Sequence, residues 1–211
     1  MKKKKLLVVL SPFAVVGIGS LVIRLAAVYL GVWAWVPWIL VYWGMIGLLV
    51  FWLGGKASIK KWWAKPTGNW FWSALAVLIG LSSLYIFASS WRVLLPLQVF
   101  IPWLIVGLLN PFLEEWYWRG LLLDYTKEWK SWVSILLFSV LFSLNHLLGI
   151  GVTSIGCRHP VLIMNALVVG ILYSWVYKKT KSLRWAIVGH ALADLLGLSV
   201  AVFLNLWVPP G

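Results

Sequence analysis

Three short motifs hold most of the acid–base equipment in this sequence. The first is Glu114-Glu115-Trp116-Tyr117-Trp118-Arg119. On a helix, Glu115 and Arg119 are four apart and share a face, so Arg119 can neutralise Glu115 without help from another element. Glu114 points about 100° away and lacks that local partner. One carboxylate therefore reads as structural and the other as free for chemistry. The second motif, Phe142-Ser143-Leu144-Asn145-His146, carries the only ionisable side chain of its apolar run. The third, His190-Ala191-Leu192-Ala193-Asp194, sets an imidazole and a carboxylate four apart on one face. Carboxylates and imidazoles are the side chains that most often move protons in catalysis.

The setting makes these groups unusual. Of 211 residues, 63% are hydrophobic and 11% charged, where soluble chains have about half and about 25%. One soluble core of this size cannot hide so much apolar surface. The balance excludes a disordered chain, a secreted disulfide scaffold and a nucleic-acid-binding domain, and leaves a polytopic membrane protein. A net charge of +13 would point to nucleic acid in a soluble chain. Here the cations fall between apolar blocks, where they set topology and meet anionic headgroups. Membrane lipids are therefore the expected partners, and nucleic acid is not. The single cysteine, Cys157, permits no internal disulfide and reads as a packing or loop residue.

Seven apolar runs must position the motifs: 6–29, 36–54, 69–89, 103–123, 132–149, 161–177 and 184–207. Each is near the length of about 20 residues that crosses a bilayer as a helix. They lack the alternation of barrel strands. The expectation is an all-α, polytopic transmembrane bundle of about seven spans, forming a single domain over 1–211. With the N-terminus inside, the inner loops collect Lys2 to Lys5; Lys56, Lys60, Lys61 and Lys65; Lys127 and Lys130; and Lys178, Lys179, Lys181 and Arg184. The outer loops hold only Arg92 and Arg158. That asymmetry predicts N-in, C-out. Met1 to Lys5 followed by an apolar run resembles a signal peptide. The run's length predicts a retained first span, with cleavage near Gly19 as the alternative. Trp33, Trp35 and Trp38, and Trp52, Trp62, Trp63, Trp70 and Trp72, read as interfacial belts. Residues 93–102, with Pro96 and Pro102, read as an interfacial stretch.

An ionisable group inside a membrane is costly and is a functional hypothesis by default. Only five acids exist: Glu114, Glu115, Asp124, Glu128 and Asp194. Three of them, with two of the three histidines, fall in spans four, five and seven. The expectation is one buried cluster of two histidines and up to three carboxylates. Pro111, one turn before Glu114, frees a carbonyl and predicts a kink that opens a polar pocket. Each motif alone has a plainer reading: a Glu–Arg packing pair, an interfacial histidine, a structural His–Asp pair. Their concurrence favours a site. Asp124 and Glu128 read as a solvated helix end, His159 as a loop residue, and Arg24 as snorkelling toward the outer interface.

Glu-Glu-x-x-x-Arg, Phe-x-x-x-His and His-x-x-x-Asn/Asp, in that order on separate spans, resemble the CPBP family (CAAX-prenyl-protease and bacteriocin-processing, also called Abi). The motifs cover 114–194, within a catalytic core expected over 103–207. The resemblance implies an intramembrane endopeptidase acting on a membrane-associated, hydrophobic or lipidated peptide. It implies that Glu114 and His146 activate the attacking water. It implies that His190 and Asp194 stabilise the oxyanion or orient the substrate, with Glu115, Arg119 and Phe142 supporting the site. The eukaryotic CAAX enzymes it resembles usually carry Asn where this chain has Asp194, so a direct donor role for Asp194 is in question.

Amide hydrolysis needs a base for water, an oxyanion partner and a proton for the leaving amine. The sequence has no His-Glu-x-x-His, no Gly-x-Gly-Asp, and only a poor echo of a rhomboid serine motif at Gly80-Leu81-Ser82-Ser83. Direct attack by water is therefore favoured, with no cofactor. Zinc held by Glu114, His146 and His190 is the alternative, weakened because the paired glutamates lack the i, i+4 histidines of zinc helices. The competing functions are a non-catalytic bacteriocin-immunity or scaffold protein, and a transporter or proton channel, for which no inverted repeat is visible. The expected location is the plasma membrane of a prokaryote.

Overall fold

The computed structural model describes residues 2–209. Met1, which opens the cationic N-terminal run, and Pro210 and Gly211, at the far end of the single-domain expectation, lie outside the described residues. Lipid offers no hydrogen bonds, so every apolar run must satisfy its backbone internally. The described residues do this with helices and contain no strands. The helices are α1 (Lys2–Leu30), α2 (Trp35–Leu49), α3 (Gly55–Trp62), α4 (Trp70–Leu81), α5 (Leu84–Ser90), α6 (Leu97–Glu114), α7 (Leu122–Tyr125), α8 (Ser131–Leu148), α9 (Ile155–Arg158), α10 (Pro160–Thr180), α11 (Arg184–Leu196) and α12 (Ser199–Phe203).

Five stretches are long and apolar enough to cross a membrane: Lys3–Trp62, Trp70–Leu94, Leu97–Tyr125, Ser131–Val152 and Pro160–Thr180. The first holds α1 and α2, folded against each other through a turn at Gly31–Ala34. Six of the seven apolar runs thus lie on long helices, and the chain is a multi-pass helical membrane bundle. The seventh run departs from a continuous span. Gly197 N–H donates back to Ala193 O at 2.8 Å, Leu198 turns left-handed at φ 56°, and the chain restarts as α12. A residue in the left-handed conformation just past the last turn is how helices commonly stop, and here that residue is Leu198 rather than a glycine. The break folds Ser199, Val202 and Phe203 against the central cavity.

The fourth span starts at Leu97 rather than 103, because extended Pro96 caps it. The helix passes Pro111 and stays α-helical to Glu114. Its irregularity comes just afterwards, as the wider π-turns of Glu115–Leu121, a local form frequent at functional sites.

Contacts gather the cationic loops at one end of the bundle. Lys5 pairs with Glu128 at 2.6 Å, and its ammonium holds that exposed carboxyl below the usual carboxylate range. Lys178 Nζ donates to Ser131 Oγ at 3.3 Å and Arg184 Nε to Trp63 O at 2.6 Å. Asp124, expected as a solvated helix end, is instead a junction: it accepts from Lys61 (2.9 Å), Trp62 Nε1 (3.0 Å) and Tyr177 OH (2.7 Å). Trp62 is fully buried against Gly120, where any Cβ would collide with the indole. Trp35, Trp38 and Trp62 are therefore core residues rather than belt residues, whereas Trp52 and Trp70 are 65% and 77% exposed.

Cys157 is buried, and burial pushes its thiol up to about 12. Thiolate is the reactive form. N-ethylmaleimide should therefore leave the native protein unlabelled and modify it only after denaturation, read by intact mass. Rapid native labelling would contradict that burial.

Candidate active site

Four elements converge on one buried cluster. Helix α11 delivers His190 because Gly189 and Gly80 let α11 and α4 meet backbone to backbone. A Cβ on either glycine would fall inside contact distance of a carbonyl oxygen on the facing helix. Close approach through small residues is the main packing device where lipid supplies no hydrophobic drive. Trp103 Nε1, donating to Leu195 O at 3.0 Å, ties α6 to the same helix.

Glu114, the last residue of α6, is buried. Its Oε1 accepts from Tyr42 OH at 2.7 Å, and Tyr42 in turn accepts from Trp118 Nε1 at 2.8 Å. Trp38 stacks on Tyr42 at 5.2 Å. Glu114 Oε2 has no hydrogen bond among the described residues and faces His190 Nε2 at 3.4 Å. Glu115 Oε1 accepts from His190 Nδ1 at 2.8 Å and lies 3.0 Å from Arg119 Nη1. The guanidinium is too poorly aligned for a hydrogen bond there, but it sits 4.2 Å over the Phe142 ring, a cation–π contact that suits a desolvated Arg. The Glu115–Arg119 pair thus forms as helical spacing predicts. Glu114 is not partnerless, because its partners come from α2 and α11, where one-helix reasoning cannot see them.

Asp194 Oδ1 is 3.7 Å from His190 Nε2, beyond hydrogen-bond range, and its Oδ2 accepts from Asn110 Nδ2 at 3.2 Å. Asn110 Oδ1 accepts from Trp43 Nε1 at 2.9 Å. The amide of Asn110 is therefore locked in orientation, with its NH2 group toward Asp194.

His146 stands apart. Its Nδ1 donates to Phe142 O at 2.9 Å, since a carbonyl can only accept. In the neutral ring the lone pair is then on Nε2. The Phe142 ring meets both imidazoles edge to face, 4.6 Å from His146 and 6.3 Å from His190 between ring centroids. His146 touches none of the carboxylates among the described residues. It lines the same cavity of about 170 Å³ as Asn110, Glu114, His190 and Asp194, which has room for several waters. Tyr42 and Asn110 are the contributors that sequence reasoning missed. Asn110 carried a signal, being polar, four residues before Glu114 and on the same face. A tyrosine in an apolar run carries none.

Zinc would need Glu114, His146 and His190 around one point. Among the described residues, no three His, Cys, Asp or Glu side chains are grouped so as to hold a metal ion. His190 already turns one nitrogen to Glu115 and the other toward Glu114. The residues as placed do not fit that ion.

Residues 96–196 match the family model described as Rce1-like, type II CAAX prenyl endopeptidase Rce1-like. The matched segment contains the three motifs that resemble the CPBP, or CAAX-protease, family. It spans just under half of the chain and holds every site residue from Asn110 to Asp194. No curated protein and no solved structure matches the chain. Tyr42 lies outside the matched segment, so the first half of the chain completes the setting of Glu114. Where Asp194 departs from the Asn of the eukaryotic CAAX enzymes, Asn110 places an amide beside it.

Proposed function

We propose that the chain is an intramembrane endopeptidase that hydrolyses a peptide bond of a membrane-associated, hydrophobic or lipidated peptide by direct attack of water. The observation that carries this reading is the buried pair of Glu114 and His190, backed by Glu115, opening on a cavity shared with His146. Water in that cavity meets two acceptors, the free Oε2 of Glu114 and Nε2 of His146. Removing its proton there while its oxygen attacks the carbonyl carbon gives a tetrahedral oxyanion. His190, whose Nε2 donates only when the ring carries both protons, and the Asn110 amide, beside Asp194, are the donors positioned to stabilise it. The same proton then passes to the departing amine as the C–N bond breaks, leaving a carboxylic acid and an amine, and the acid's remaining proton moves on to the amine to give carboxylate and ammonium. Carboxylates withdrawn from water are stronger bases than exposed ones, which favours this chemistry in a lipid-embedded site.

The protein would work in a plasma membrane with its cationic end inside. The contacts among the cationic loops and the positive-inside rule support that orientation.

The test is cleavage in phosphatidylglycerol–phosphatidylcholine vesicles, with new termini read by mass spectrometry. The probes are a farnesylated Cys-a-a-X peptide and an unmodified apolar peptide, each with and without 1,10-phenanthroline. Cleavage of either peptide, undiminished by the chelator, is expected. Cleavage of neither overturns the reading, and loss that zinc restores overturns the metal-free route.

Tyr42 is a positioning residue. Tyr42→Phe removes one hydrogen bond to a carboxylate, worth about 1.5–3 kcal/mol, so kcat should fall about ten- to hundredfold with KM nearly unchanged. A rise in KM alone would instead place Tyr42 in substrate binding.

A further inference from the structure

A second concavity lies away from the active site, along the outward face of α4. Its walls include Trp70, Ala74, Val77 and Leu78 of α4 and Trp185 of α11, with Lys65 at the Trp70 end. The α4 residues recur at helical spacing and form one stripe. The opposite stripe, Ala76 and Gly80, is packed against α11. The bundle does not use the outward stripe: Leu78 is 62% exposed. The volume of about 580 Å³ falls within the range of about 300–1,000 Å³ typical of ligand pockets.

This is a slot rather than a bare helix face because the 65–68 loop roofs one end. Thr67 anchors that loop, donating from its N–H (2.8 Å) and its Oγ1 (3.0 Å) to Thr180 O. The roofed end is also the cationic end. Arg184 precedes Trp185 and lies 5.6 Å over the Trp63 ring, and Lys179 lies 5.7 Å over Trp72. The acids of that end, Asp124 and Glu128, already hold Lys61 and Lys5. Positive charge therefore stands uncompensated above an apolar channel, and an occupant must be apolar along its length and anionic at one end.

We propose that this slot binds one anionic glycerophospholipid, with an acyl chain along Trp70, Ala74, Leu78 and Trp185 and its phosphate beside Lys65. Free phosphate does not use the channel, and a zwitterionic lipid does not use the charge. The assignment stands on this groove alone and is independent of the hydrolytic reading. It also places the lipid against α4, whose other face meets Gly189, the neighbour of His190.

The test is native mass spectrometry of the purified full chain offered phosphatidylglycerol or phosphatidylcholine of identical chains. A cation near an anionic headgroup favours it by about fivefold, so the wild type should retain one phosphatidylglycerol at least that much more tightly. Lys65→Glu should erase the preference, and Ala74→Trp, which fills the slot, should remove the tightly held lipid. Equal retention of both lipids by the wild type overturns the proposal, and that comparison needs no variant to fold. A preference that survives both substitutions overturns it equally.

Discussion

Glu114→Gln should lower the rate of peptide cleavage in vesicles by about 10²–10⁴-fold, the usual contribution of a positioned base. The substitution is nearly isosteric. The amide oxygen can still accept from Tyr42 OH, as Oε1 does at 2.7 Å. What disappears is the capacity to take a proton from water. The thermal midpoint in detergent should therefore stay close to that of the wild type while turnover collapses. A parallel loss of both would make Glu114 a packing residue.

The largest expected structural effect lies one residue before His190. Gly189→Ala puts a methyl group where the α4 backbone at Ala76 already stands, and Gly80→Ala does the same toward Gly189. Overpacking a close-packed interior costs about 1–3 kcal/mol. Here the obstructing atoms are backbone, which cannot rotate aside, so the two helices must separate. Either variant should lower the thermal midpoint by several degrees, about what that free energy implies for a chain of this size. Gly189→Ala should also displace His190 and abolish cleavage. Gly17→Ala is the control, since a Cβ there meets nothing within 4 Å. If Gly189→Ala proves as stable and active as Gly17→Ala, the close approach does not hold the site.

The helical bundle was legible because lipid leaves the backbone no alternative to helix in six long apolar runs. The seventh misled because its composition is as apolar as the others, while one glycine and a left-handed Leu198 decide that it breaks. Glu115 and Arg119 were legible because their interaction is local to one helix. The partners of Glu114 were not, because Tyr42 arrives from 72 positions away and helical periodicity carries no information across that gap. Asp124 failed for a similar reason. Its lysine neighbours suggested solvent, but Trp62 and Tyr177 reach it from other helices. Local charge patterns describe a segment's own turn and leave its tertiary neighbours open.

The most direct test of the central claim is a double-mutant cycle on the single-turnover cleavage rate, using Glu114→Gln, His146→Ala and the combined variant. Two groups that act on one water form a unit, so removing either should cost nearly as much as removing both. The double variant should be no more than slightly slower than the slower single one. Losses that multiply, or a His146→Ala enzyme at the wild-type rate, would contradict that and separate the two residues.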